Sequence, residues 1–111
     1  MKEEVSLAAL AALGQETRLR AFRLLVEHEP NGMPAGEIAE RLGVQQNTLS
    51  THLGILVTSG LAHSRRDGRS IIYRADLETM NGLVAYLTEN CCGGASCADP
   101  SIQISLQDER Q

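Results

Sequence analysis

A chain of 111 residues with two tyrosines, one phenylalanine and no tryptophan must build its core from Leu, Ile, Val and Ala. That length suits one domain, and no apolar run approaches the roughly 18 residues that cross a bilayer. Met1 to Val5 does not read as a signal peptide, so a soluble cytoplasmic protein is expected. The net charge of −4 argues against a nucleic-acid partner only until it is divided. Residues 1–75 carry nine Lys/Arg against eight Asp/Glu, a net +1, whereas residues 76–111 carry one Arg against six acids, a net −5. Within 62–75, Arg65, Arg66, Arg69 and Arg74 face only Asp67, and such clustering bears on the partner more than the global charge does.

In chain order, Val5 to Leu13 places Leu7, Leu10 and Leu13 at helical spacing, and Gly14 breaks that first helix. Glu16 to His28 predicts a second, with Leu19, Phe22, Leu25 and Val26 inward, Arg18, Arg20 and Arg23 outward, and Gln15 or Thr17 at its entry. Glu29-Pro30-Asn31-Gly32 reads as a turn. Pro34 to Leu42 predicts a third, short helix with Pro34 in its first turn, closed by Gly43. A fourth helix, about Gln45 to Ser59, buries Leu49, Leu53, Leu56 and Val57. It turns Gln46, Asn47, Ser50, Thr51 and Gly54 outward, and Gly60 closes it. Two short helices around a glycine turn, the second polar on its outer face, form a helix-turn-helix pattern.

Leu61 to Arg66 and Ser70 to Ala75 then read as two strands joined by Asp67-Gly68-Arg69, a strong hairpin signal. A basic hairpin directly after a helix-turn-helix is a wing, placed to lie along a phosphate backbone. A fifth helix, about Asp76 to Glu89, carries the apolar seam Leu77, Met80, Leu83, Val84 and Leu87, with Asp76 as its N-cap. The expected fold is mainly α with a small β-hairpin, a winged helix-turn-helix in the order four helices, two strands, one helix. Residues 1–90 form the DNA-binding and dimerisation domain in this reading, and 91–111 a cysteine-containing effector segment with a mobile tail.

The amides of Gln45, Gln46 and Asn47 and the hydroxyls of Ser50 and Thr51 suit base edges and phosphates, and Arg65, Arg66 and Arg69 suit the backbone. His52 borders the core on the helical wheel, as a structural histidine or as a base contact. The leucine seams of the first and fifth helices exceed what one domain covers. Leu7, Leu10, Met80, Leu83, Val84 and Leu87 are therefore assigned to a two-fold interface that sets two reading helices about 34–36 Å apart on an inverted repeat.

Cys91, Cys92 and Cys97 are all the cysteines in the chain, gathered within seven residues after the last helix. In a reducing compartment they are better read as ligands or redox groups than as a disulfide. Neighbouring helical positions point about 100° apart, so Cys91 and Cys92 converge on one ion only where the helix has ended. Gly93 and Gly94 permit that curl. Structural zinc usually takes four ligands, and no fourth Cys or His lies nearby. Three thiolates suit a soft trigonal-pyramidal centre, As(III) or Sb(III). Incidental cysteines and a thiol redox switch are the competing readings.

From about Leu7 to Leu87 the sequence resembles the ArsR/SmtB family of small dimeric winged-helix repressors. The resemblance rests on the segment Ala9 to Arg20, the helix-turn-helix from Ile38-Ala39-Glu40-Arg41-Leu42-Gly43 through Leu49-Ser50-Thr51-His52-Leu53-Gly54, and the wing Arg65 to Tyr73. It implies a repressor that binds promoter DNA when empty and releases it on binding a metal ion or metalloid. Family members that sense arsenic through the third helix carry a cysteine pair there, where this chain has Gly36 and Glu37. Zinc-type members pair Asp/His and His/Glu residues on the last helix. Asp76 and Glu78 echo half of that arrangement, without a histidine following. The vicinal cysteines plus a third after the last helix are similar to a subgroup of arsenic-responsive repressors.

The sequence therefore predicts an As(III)-responsive repressor, with Sb(III) a second effector, that binds DNA as an apo homodimer and leaves it when Cys91, Cys92 and Cys97 are ligated. The alternatives are a methylarsenite-selective repressor, a thiol redox-switch repressor, and a metalloid carrier without DNA regulation. No nucleophile–base pairing, phosphate loop or cofactor fingerprint points to an enzyme.

Overall fold

The computed structural model describes residues 1–94 and, of Cys92, the backbone alone. Cys97 and the expected mobile tail lie outside the described residues. Five helices, α1 (Glu3–Leu13), α2 (Glu16–Glu27), α3 (Ala35–Leu42), α4 (Gln46–Thr58) and α5 (Leu77–Leu87), pack with strands β1 (Met33–Pro34), β2 (Ala62–Asp67) and β3 (Ser70–Ala75). A 3₁₀ turn, Cys91–Gly94, follows α5. The fold is a winged helix-turn-helix, and its sheet is three-stranded, antiparallel, in the order β1-β3-β2.

Local chemistry sets the helix ends. The Gln15 side chain accepts from Arg18 N–H at 3.0 Å and caps α2, and Asp76 Oδ1 accepts from Thr79 N–H at 2.9 Å and caps α5. Gly43, at φ 70°, ends α3. Val44 N–H donates to Ala39 O at 3.1 Å and Gly43 N–H to Glu40 O at 3.3 Å, the paired bonds of a Schellman turn. The same pairing ends α4, with Leu61 N–H on Leu56 O and Gly60 N–H on Val57 O, both at 3.0 Å. The first stop turns the chain from α3 into α4, and the second turns it from α4 toward β2.

Leu25, Met33, Ile38, Leu49, Leu53, Leu56 and Leu61 are fully buried and make the centre of the core. Each contributes about 1.5–3 kcal/mol by leaving water. Ser6 is buried among them with its hydroxyl donating to Lys2 O at 3.2 Å, so no polar cost is left unmet.

Several expectations need correction. Pro34 stands before α3, extended at φ −70°, ψ 150°, because it also belongs to β1. That strand was not expected; two residues leave no period-2 pattern to read. It pairs Met33 with Tyr73 and Pro34 with Ile72. Gly32 makes the pairing possible: at φ 78° a Cβ there would lie 2.6 Å from Tyr73 O. The hairpin loop is shorter than expected, since Asp67 pairs with Ser70 inside the ladder and leaves Gly68-Arg69 as a two-residue turn. In α2, Phe22 and Leu25 are buried while Leu19 and Val26 are exposed, so the inward face is narrower than its apolar residues suggest. Val57 is only half-buried on α4.

Candidate nucleic-acid interface

Burial of Leu49, Leu53 and Leu56 fixes the rotation of α4. The same rotation exposes Gln46, Asn47, Ser50, Thr51 and Gly54, with Gln45 exposed at the cap. Asn47 Oδ1 accepts from Thr48 N–H at 2.8 Å, which leaves its amide NH₂ for an outside partner. A Cβ at Gly54 would meet nothing within 4 Å, so packing does not demand glycine there. The amide and hydroxyl face forms one contiguous strip.

The wing divides its arginines by face, because neighbouring strand residues point oppositely. Arg66 pairs with Ile71, on the side that carries Ser64, Tyr73 and the buried Ala62 and Ala75, and hence on the side toward the helices. Arg65 pairs with Ile72 on the other side, beside His63 and Arg74. Arg69 occupies the tip. Arg65, Arg66 and Arg69 are exposed and have no carboxylate partner among the described residues.

Arg74 departs from the expected cluster. Its Nη2 donates to Glu29 Oε1 at 2.7 Å and its Nε to Glu29 Oε2 at 3.3 Å, a two-point contact that ties the wing base to the turn after α2. The hydrogen bond from Arg74 holds the Glu29 carboxyl below the ordinary carboxylate range, against the opposing effect of burial. The same bond raises Arg74. Arg74 is a structural residue, and the free charge of the wing is correspondingly smaller than its sequence suggests.

His52 resolves toward its structural reading. Its Nδ1 lies 3.1 Å from Arg18 Nη1, and Arg18 Nε donates to Ala12 O at 2.7 Å. A guanidinium has only donors, so Nδ1 accepts and the ring proton sits on Nε2. Arg18, expected to face outward, is half-buried and links three helices. Nothing in the spacing of α2 announces that role, because both partners are distant in sequence or on the backbone.

The apolar seam of α5 splits into two functions. Leu83, 2% exposed, belongs to the protomer's own core, with Met80 packed beside it. Leu77, Val84 and Leu87 remain exposed, the last two at 52% and 56%. With the half-buried Met80 they recur at i, i+3, i+7 and i+10, the spacing of a helix–helix seam. On α1, Leu7 and Leu10 are exposed in the same way, whereas Ser6, Ala9 and Ala12 face inward.

Past α5, Asn90 takes a left-handed φ of 59° and Gly93 one of 67°. The helix has therefore ended before Cys91, which is free and exposed. Among the described residues no group of three or more His, Cys, Asp and Glu side chains is placed to hold a metal ion. Asp76, half of the zinc-like echo, is engaged as the α5 cap. No helix among the described residues is long and apolar enough to cross a membrane.

Residues 13–65 match a family model described as a helix-turn-helix domain. The HTH-type transcriptional regulator YgaV of Escherichia coli is 32% identical over 89 residues, covering 80% of this chain and 88% of the relative. This chain belongs to the ArsR/SmtB family of winged helix-turn-helix transcriptional regulators. An ArsR-like transcriptional regulator from Rhodococcus sp. RHA1 superposes with a TM-score of 0.71 at 27% identity, covering 94% of this chain and 92% of that one. A possible transcriptional regulator for arsenical resistance gives 0.64 at 28% identity, over 71% of this chain and 79% of that one. The relatives named are transcriptional regulators.

Proposed function

We propose that this ArsR/SmtB regulator is an As(III)-responsive repressor, with Sb(III) as a second effector, acting on an arsenic-resistance operon. As an apo homodimer joined through Leu7, Leu10, Val84 and Leu87, it holds an inverted-repeat operator with Gln45, Gln46, Asn47, Ser50 and Thr51 on base edges. Arg65, Arg66 and Arg69 serve the backbone. Cys91, Cys92 and Cys97 hold the metalloid as thiolates in the segment 91–111. The observation that carries this reading is the left-handed Asn90 immediately before Cys91, with Gly93 left-handed after it. Asn90 takes the chain out of α5, and the two cysteines then sit in the 3₁₀ turn Cys91–Gly94, where neighbouring positions point about 120° apart, so their convergence on one centre requires that short turn to open. A structural relative at 28% identity is named for arsenical resistance, which supports the same effector class.

The effector site sits at the end of the helix whose outer stripe would join the protomers, so ligation is coupled to the spacing of the reading heads. A coupling of about 1–3 kcal/mol, roughly 5–150-fold in DNA affinity, is the usual range for such linkage.

The test is release of promoter DNA by wild type and the three single Cys→Ser variants, titrated with As(III), methylarsenite, Sb(III) and peroxide. Release of wild type by As(III), lost in each variant, is expected. Release by peroxide alone would establish the redox-switch reading instead, and an intact As(III) response in all three variants would remove the cysteines from the mechanism. Survival of the response in one variant would favour methylarsenite, which needs two thiols. As(III) binding without any promoter binding would make the chain a carrier.

A further inference from the structure

A notch of about 310 Å³ opens between the wing and the reading helix, lined by Gly36 of α3, Gln46 and Ser50 of α4, and Arg69, Ser70 and Tyr73 of the hairpin. We propose that this notch seats one backbone phosphate of bound duplex DNA in each protomer, which brings Ser70, Tyr73 and Gly36 into the DNA interface. The inference rests on the reading of α4 and the wing as DNA-facing.

Three observations support it. The lining holds one cation, two aliphatic hydroxyls, a phenol and an amide, and no Asp or Glu among its residues. That set suits a singly charged phosphodiester, whose oxygens accept from arginine, hydroxyl and amide donors. The second notch on the hairpin, lined by Asn31, His63, Arg65 and Arg74, is less suited, because Arg74 is already engaged by Glu29. The seat also lies between the two parts of the molecule that carry exposed, unpaired DNA-type side chains. A strand whose bases met Gln46 and Ser50 and whose backbone met Arg69 would pass through it. Tyr73 is anchored there, its ring packed against the core and its strand position fixed by pairing with both Met33 and Ser64.

Gly36 supplies the test. It has ordinary helical backbone, and a Cβ built on it would lie 3.6 Å from Gln46 Oε1, in normal contact. A longer side chain at this point fills the notch without straining the fold. The full-length protein, Gly36→Gln and Tyr73→Phe are titrated by fluorescence anisotropy against a mixed-sequence duplex of about 30 base pairs over a range of KCl concentrations. Thermal melts of the same samples report folding. Gly36→Gln is expected to melt like wild type, to bind on the order of tenfold more weakly, and to lower the slope of log affinity on log salt by about 0.9 per notch. Tyr73→Phe is expected to bind severalfold more weakly. Folded Gly36→Gln with wild-type affinity and slope overturns the seat. Should that variant fail to fold, wild-type affinity in Tyr73→Phe overturns it. Absence of binding by wild type to any duplex would overturn the DNA reading itself, and the seat with it.

Discussion

Arg18 Nη1 lies 3.1 Å from His52 Nδ1, across a separation of 34 residues, while Nε of the same side chain holds the carbonyl of Ala12 at 2.7 Å. One residue of α2 thereby joins the end of α1 to the middle of the reading helix. Arg18→Met keeps the aliphatic stem and removes both bonds. Loss of about 1.5–3 kcal/mol is expected, the range for hydrogen bonds to a charged group. A double-mutant cycle with His52→Leu, read by urea denaturation, should show a coupling of about 0.5 kcal/mol or more. Strict additivity would separate the two residues.

The Glu29–Arg74 contact makes stability pH-dependent in a defined direction. Its hydrogen bond depresses the Glu29 carboxyl in the folded state, so the unfolded chain takes up the proton first on acidification. The stabilisation is fully present above the ordinary carboxylate range and is lost as pH falls through and below it. Thermal midpoints followed from pH 7 to about pH 3 should therefore fall more steeply in wild type than in Glu29→Gln. Parallel acid limbs would contradict the assignment.

The arginines of the wing should separate by function. Arg69→Ala is expected to leave the melting temperature unchanged and to lower the salt slope of DNA binding by about 0.9 per lost phosphate contact. Arg74→Ala is expected to do the reverse, lowering the melting temperature while the slope stays at the wild-type value. Equal slopes in the two variants would return Arg74 to the DNA interface.

Leu83 and Val84 are chain neighbours with different expected phenotypes. Leu83→Ala removes a side chain that is 2% exposed, and a loss of about 2–5 kcal/mol in folding stability is expected. Val84→Asp, at a position 52% exposed, should leave the protomer folded and shift sedimentation from dimer to monomer. A dimeric Val84→Asp would move the interface away from α5.

Two glycines should respond oppositely to alanine. Gly32→Ala forces a side chain into a left-handed conformation and against the Tyr73 carbonyl at 2.6 Å. The strain alone costs about 1–3 kcal/mol. Gly54 has open space and helical neighbours, so Gly54→Ala should gain about 0.8–1 kcal/mol. Denaturant midpoints on either side of wild type would bear this out.

The helices, the glycine stop at Gly43, the hairpin and the polar strip from Gln45 to Thr51 were legible because each depends on neighbours in the chain. Periodicity, caps and turn residues act over four or five positions, and Leu49, Leu53 and Leu56 alone set which way α4 faces. The clustering of Cys91, Cys92 and Cys97 was likewise a property of sequence. What required tertiary structure were the contacts between distant segments. Arg74 reads as one more wing charge until Glu29 is found 45 residues away holding it. Leu83 reads as one seam residue among five until packing claims it for the interior. Tyr73 reads only as the last residue of the wing and Gly36 only as a helix position without a thiol, and it is β1 pairing with β3 and the turn between α3 and α4 that bring them to one notch. Local free energies decide which elements form. The desolvation and hydrogen bonding of groups far apart in sequence decide which of their side chains remain free to meet DNA.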